Sequence, residues 1–140
     1  MINAIKFYRI GRWFFLRKIP FIPKLIELII FLLYNSRIPS ACQISSGSFF
    51  GYGGIGCVLH PRSVIGENVT IGTNVTVGGK SGHYNVPVIG NNVYIATGAK
   101  VLGPISIGNN VVIGANAVVI NSVPDNCTVV GIPAKIINKK

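Results

Sequence analysis

The chain has 140 residues, is 49% hydrophobic and only 11% charged, which excludes a disordered chain and leaves room for one core plus an appendage. Its formal charge of +10 arises because three acids, Glu27, Glu67 and Asp125, oppose thirteen Lys and Arg residues. Acids so few and so scattered exclude paired-carboxylate glycoside hydrolysis, two-metal phosphoryl transfer and calcium loops, each of which needs clustered Asp or Glu.

Residues 1–40 read as a basic amphipathic helical segment. Seven of the thirteen basic residues fall here (Lys6, Arg9, Arg12, Arg17, Lys18, Lys24, Arg37), together with most of the aromatics. Two short helices are expected. The first runs from about Ala4 to Lys18; Pro20 and Pro23 then interrupt before a second apolar run from Leu25 to Tyr34. Neither reaches the roughly 20 apolar residues that crossing a bilayer requires. Two roles are compatible with the pattern. Residues 1–38 can lie on a membrane surface, where each Lys or Arg contributes about 1 kcal/mol toward anionic headgroups, or they can cap the open end of the domain that follows. A cleaved signal peptide is disfavoured by the long basic stretch and by Glu27. Nucleic acid is not expected as a partner, because the basic residues lie in an apolar segment without a reading motif.

Cys42, Cys57 and Cys127 are odd in number and lack C-x-x-C spacing, so neither a disulfide framework nor a zinc finger is indicated. A reducing, cytoplasmic location follows, with peripheral contact at the inner face of the membrane. Pro39-Ser40-Ala41-Cys42 resembles a lipoprotein cleavage site but lies too deep in the chain, so Cys42 reads as a buried thiol.

Residues 41–140 carry a repeat. From Leu59 one aliphatic returns every sixth position: Ile65, Ile71, Val77, Ile89, Ile95, Val101, Ile107, Ile113 and Val119, with only His83 breaking the series. Small residues commonly follow, and a second apolar series (Val69, Val75, Val93, Ala99, Ile105, Val111, Ala117) precedes by two places. A helix with 3.6 residues per turn would scatter a period of six around its circumference. A β-solenoid satisfies it: three six-residue units close one triangular coil, and stacked coils place the aliphatics in a continuous interior column. Asn68, Asn74, Asn92, Asn110 and Asn116 suit the corners, since Asn tolerates the left-handed backbone region.

The run from Gly51 onward resembles the hexapeptide-repeat acyltransferase superfamily, closest to its serine-acetyltransferase-like and sugar O-acetyltransferase branches. The stretch Val123 to Lys135 is similar to the segment with which those enzymes leave the solenoid. The resemblance implies a left-handed parallel β-helix, a homotrimer, and acetyl-CoA as co-substrate in a groove between subunits. Gly78, Gly79, Ala96, Gly114 and Ala115 would let its pantetheine arm approach, and Lys135 would meet its phosphates.

Moving an acyl group to an alcohol needs a base poised near neutral pH, which imidazole supplies. There are two histidines. His60 follows Gly51-Tyr52-Gly53-Gly54-Ile55-Gly56, and the resemblance implies that it is the catalytic base. His83 lies in Gly78 to Pro87, the one clear interruption of the repeat, and matches a second active-site histidine. A backbone carbonyl is expected to orient His60, because Glu67 is the only acid near it in sequence. Two histidines per chain are too few for a three-histidine zinc site, so no metal is expected. Gly79-Lys80-Ser81 lacks the first glycine and the following helix of a phosphate-binding P-loop.

Serine-type enzymes carry an Asp just before the first of these histidines and an Arg just before the second, where this chain has Leu59 and Gly82. The expectation drawn from that difference is an uncharged acceptor: an acetyl-CoA-dependent O-acetyltransferase acting on a sugar hydroxyl in polysaccharide biosynthesis. Serine O-acetylation is the alternative enzyme reading, and a trimeric membrane-surface scaffold is the non-catalytic one.

Overall fold

The computed structural model describes residues 2–139, and in them two helices precede a parallel β-helix of about four coils. Helix α1 (Ala4–Leu16) begins at Asn3, whose side chain accepts from the Ile5 N–H, a normal N-cap arrangement. Helix α2 (Phe21–Tyr34) starts four residues earlier than its apolar run suggests. Pro23 lies in its first turn, where backbone N–H groups have no intrahelical partner to lose. The chain leaves α2 through Asn35 in the left-handed region, at φ 51°.

The coils then follow in order. Strands β1 (Gln43–Ile44), β2 (Phe49–Phe50) and β3 (Val58–Leu59) make the first, and β4 (Val64–Ile65), β5 (Thr70–Ile71) and β6 (Thr76–Gly78) the second. The third holds β7 (Val88–Ile89), β8 (Tyr94–Ile95) and β9 (Lys100–Leu102), and the fourth β10 (Ser106–Ile107), β11 (Val112–Ile113) and β12 (Val118–Val119). A hairpin of β13 (Cys127–Val130) and β14 (Lys135–Lys139) closes the chain. Three parallel faces result: β1-β4-β7-β10, β2-β5-β8-β11 extended by the hairpin, and β3-β6-β9-β12. The architecture is the expected left-handed β-helix.

Each residue of the period-six series is at most 2% exposed and each of the second apolar series at most 7%. Burying such a side chain contributes about 1.5–3 kcal/mol, so the stacked columns are the main source of stability. Asn68, Asn74, Asn92, Asn110 and Asn116 all take φ between 55° and 57°, and the corners turn on them as anticipated.

Regular coils pair residues eighteen apart, as Lys100 with Val118. Between the second and third coils the step is twenty-four, as Thr76 with Lys100. The six extra residues are pushed out as the loop 79–87, which is the interruption visible in the repeat.

The helices cap the first coil. Ala4, Tyr8, Ile26 and Ile30 join the same apolar core as the coil interior. Strand β1 pairs only with β4, so its outer edge needs partners, and α1 supplies them. Arg9 donates to the carbonyls of Ile44 and Ser45, Arg12 to those of Ser40 and Ala41, and Asn3 to that of Phe50. An exposed sheet edge is thereby closed. Two of the basic residues thus serve the cap itself. Among the described residues no helix is long and apolar enough to cross a membrane.

Candidate active site

His60 follows β3 at the corner where the third face turns into the first. Strand alternation sends the Leu59 side chain into the core, 1% exposed, and the next side chain outward. The His60 main chain is held by its N–H to the Val77 carbonyl at 2.8 Å. Its own carbonyl accepts from the Ser63 N–H at 3.0 Å and the Ser63 hydroxyl at 2.7 Å. The position is therefore rigid.

The group that orients the ring is a donor, not the expected carbonyl. The Arg62 main-chain N–H donates to Nδ1 at 3.1 Å, which occupies that lone pair and leaves the neutral imidazole's proton on Nε2. Burial, and after it the Arg62 charge, hold the His60 pKa below its usual 6.5. The imidazole is neutral at physiological pH.

The loop 79–87 folds over this corner. Gly79 passes so close that a Cβ on it would stand 3.8 Å from His60 Cδ2 and 3.9 Å from Nε2. Farther along, the Arg62 guanidinium lies 4.1 Å from the Tyr84 ring centroid and donates to the Tyr84 carbonyl at 2.6 Å, clamping the loop to the turn that carries His60. His83 sits on the loop with an exposed side chain, its N–H bound to the Lys80 carbonyl at 3.1 Å. No hydrogen bond joins the rings of the two histidines among the described residues.

The other residues singled out in the sequence divide between two corners. Gly78, at the end of β6, and Gly79 lie with His60. Ala96 follows β8 and Gly114 and Ala115 follow β11, at the corner between the second and third faces, while Lys135 opens β14. One subunit does not bring these two sets together. A groove of about 660 Å³ beside the His60 corner is lined by Gly79, Lys80, Leu102, Pro104 and Ile120 among others. Its wall combines the aliphatic Leu102, Pro104, Ile105 and Ile120 with the polar Lys80, Asn121 and Ser122. Among the described residues no three His, Cys, Asp or Glu side chains converge. Arg62 and Tyr84 were missed in the sequence, and only the nearness of Arg62 to His60 signalled either.

The fold and this corner define a hexapeptide-repeat coil, and a family model for bacterial transferase hexapeptide, of six repeats, matches residues 87–121. A serine acetyltransferase of Helicobacter pylori (strain J99) is 37% identical over 140 residues, 99% of this chain and 81% of that protein. One from Synechococcus elongatus is 38% identical over 137 residues, 96% of this chain and 56% of that protein. The structure of serine acetyltransferase in complex with coenzyme A from Brucella abortus strain S19 superposes with a TM-score of 0.92 at 32% identity, covering 98% of this chain and 55% of that one. The chain belongs to the hexapeptide-repeat acyltransferase superfamily, in its serine-acetyltransferase-like branch. It spans little more than half the length of the Synechococcus and Brucella proteins.

These relatives overturn the expectation of a sugar acceptor and of a role in polysaccharide biosynthesis. The physical basis of that expectation also fails. Leu59 points into the core, so its lack of charge says nothing about the acceptor. Gly82 has φ +82° with open space around it, so it is a turn residue.

Proposed function

We propose that this chain transfers the acetyl group of acetyl-CoA to the hydroxyl of serine. The observation that carries the reading is the 38% identity to a serine acetyltransferase across 96% of the chain, a span too long to leave out the His60 corner. His60 is the general base. For Nε2 to accept the hydroxyl proton, the ring must carry its own proton on Nδ1 and release the Arg62 amide, an exchange of about one hydrogen bond, roughly 0.5–1.5 kcal/mol.

Acetyl-CoA supplies an activated thioester. His60 takes the serine proton as the new ester bond forms and returns it to the departing thiolate, so no net proton is consumed. Backbone N–H groups of a neighbouring subunit hold the oxyanion, and His83 positions the acceptor. Gly78 and Gly79 admit the pantetheine arm at the His60 corner. Ala96, Gly114, Ala115 and Lys135 complete the groove from the adjacent subunit of a homotrimer, which accounts for their distance from His60 within one chain. The outward row Phe49, Tyr94 and Val112 on the second face, 47%, 50% and 37% exposed, supports packing of that face against another subunit.

The helices support a second contact. Phe21, Leu25, Leu28 and Leu32 follow helical spacing on α2 and are 51–81% exposed, with Lys18 and Lys24 close in sequence. Such a surface suits the cytoplasmic face of a membrane.

Purified protein given acetyl-CoA should release CoA thiol when serine is added, with O-acetylserine seen by NMR. His60→Ala should abolish release while the protein keeps its trimer mass. Absence of release with serine overturns the reading.

A further inference from the structure

The first coil carries an insertion of its own. Phe49 pairs with Thr70, twenty-one positions on, whereas Val58 pairs with Thr76, eighteen on, so three extra residues enter between β2 and β3. They swell the corner between the second and third faces, and Tyr52 stands there, 86% exposed. Insertions in a solenoid commonly mark its functional face.

Tyr52 is held in a conformation that its side chain disfavours. Its φ and ψ are 52° and 34°, in the left-handed region, where the other described residues are glycines, asparagines and Lys18. An aromatic residue stays there only where surrounding contacts fix it, and on both sides they do. The Asn3 side chain donates to the Phe50 carbonyl at 2.6 Å and the Gly54 N–H to the Gly51 carbonyl at 3.2 Å, while the Ser36 hydroxyl donates to the Gly54 carbonyl. Gly54 also lies so close to α1 that a Cβ on it would stand 2.9 Å from the Ala4 Cβ. The backbone under the Tyr52 ring is thus fixed, yet the ring adds almost nothing to the packing of its own subunit. Its use lies outside that subunit.

The same corner carries the residues assigned above to the cofactor. Phe50 pairs with Ile71, Ile71 with Ile95 and Ile95 with Ile113, which stacks the positions just after them, Gly51, Gly72, Ala96 and Gly114, in one column. Lys135, paired with Val130, closes its far end. Strands β2 and β14 are the two edges of the second face, roughly 24 Å apart at about 4.8 Å per strand. An extended pantetheine arm whose phosphates meet the Lys135 side chain therefore brings its thioester to the first coil. His60 follows β3 of that coil, so in a trimer built around an axis parallel to the coils Tyr52 is level with the base of the neighbouring subunit.

We propose that the Tyr52 ring is the end wall of the acyl site: it meets the acetyl methyl from the subunit opposite the base and selects acetyl-CoA over longer acyl-CoA thioesters. The inference rests on the acetyl-transfer reading and on its trimer. A ring on a fixed backbone cannot retreat to admit extra methylenes, so a longer chain is overpacked against it.

The test gives the full chain serine with acetyl-CoA, butyryl-CoA or hexanoyl-CoA and compares kcat/KM for wild type, Tyr52→Gly and Tyr52→Phe. Glycine takes the left-handed conformation without strain, so the wall can be removed from a folded protein. In Tyr52→Gly the butyryl-to-acetyl ratio should rise roughly ten- to a hundredfold, with hexanoyl-CoA following, while Tyr52→Phe, which keeps the ring, should keep the wild-type ratio. An unmoved ratio in Tyr52→Gly overturns the assignment, as does an equal rise in Tyr52→Phe, which would give the effect to the hydroxyl. Either result leaves acetyl transfer to serine standing, whereas a wild-type protein inactive with acetyl-CoA and serine overturns both.

Discussion

The main-chain N–H of Arg62 donates to Nδ1 of His60 at 3.1 Å, and the same residue's charge adds to burial, the larger cause, in holding that imidazole's pKa below 6.5. A base with a lowered pKa is already deprotonated near neutrality. With serine as acceptor, kcat/KM should be level above about pH 7 and fall as His60 gains a proton, with a midpoint below 6.5. Arg62→Met removes the smaller cause and leaves burial, so its midpoint should rise yet remain under 6.5. A wild-type midpoint at or above 6.5 would mean that another group titrates.

Gly98 and Gly82 both have positive φ, +76° and +82°, but differ in surroundings. A Cβ on Gly98 would stand 1.9 Å from Asn116 Oδ1, whereas one on Gly82 would meet nothing within 4 Å. Gly98→Ala should therefore destabilise the coil by about 2–4 kcal/mol through strain and clash together. Gly82→Ala pays strain alone, about 1 kcal/mol. Thermal unfolding of the two variants checks the ordering, and equal shifts in Tm would show that the corner relaxes around the Asn116 side chain.

The same contrast explains what could be read from the sequence. The coil was legible because its signal is local and repeated: a buried aliphatic every six residues, with Asn at corners that demand a left-handed backbone. The loop 79–87 was legible as the one break in that series. Arg62 and Tyr84 were not, because a stacking pair twenty-two residues apart leaves no periodic trace and depends on how an irregular loop folds back. Leu59 carried two readings that exclude each other: as the first residue of the interior column, which it is at 1% exposure, and as a position that meets the acceptor, which strand alternation forbids. Pro23 misled in a milder way, since a proline that stops a helix in its interior is harmless in its first turn.

Burial pushes the Cys42 thiol up to about 11, and raises Cys57 from its usual value as well. All three cysteines are buried and free. At pH 8 a thiol of pKa near 11 is roughly one part in a thousand thiolate, and the thiolate is the reactive species. A colorimetric disulfide reagent should leave the native protein unmodified over minutes and titrate three thiols after unfolding. Fast reaction of one thiol in the native state would reveal a local opening of the coil. The result also bears on the transfer assay, since inert protein thiols mean that every thiol counted comes from CoA.

Trp13, the only tryptophan, is 49% exposed on α1 with the Arg17 guanidinium 3.6 Å from its ring centroid, which makes it a reporter for lipid contact. Arg9 and Arg12 are committed to carbonyls of the first coil, so attraction to a membrane must come from Lys6, Lys18, Lys24 and Arg17, at about 1 kcal/mol for each that reaches the surface. Vesicles containing phosphatidylserine should shift Trp13 emission to the blue, and phosphatidylcholine vesicles should do so much less. Salt at about 0.5 M should weaken the response, because the Debye length then falls to a few ångströms. Replacing both Leu28 and Leu32 by Glu, at positions 51% and 71% exposed, adds charge where no core packing is lost. It should abolish binding without lowering Tm. An emission spectrum indifferent to vesicles would mean that the outer face of the helices is covered by protein, and the helical pair would then be a cap alone.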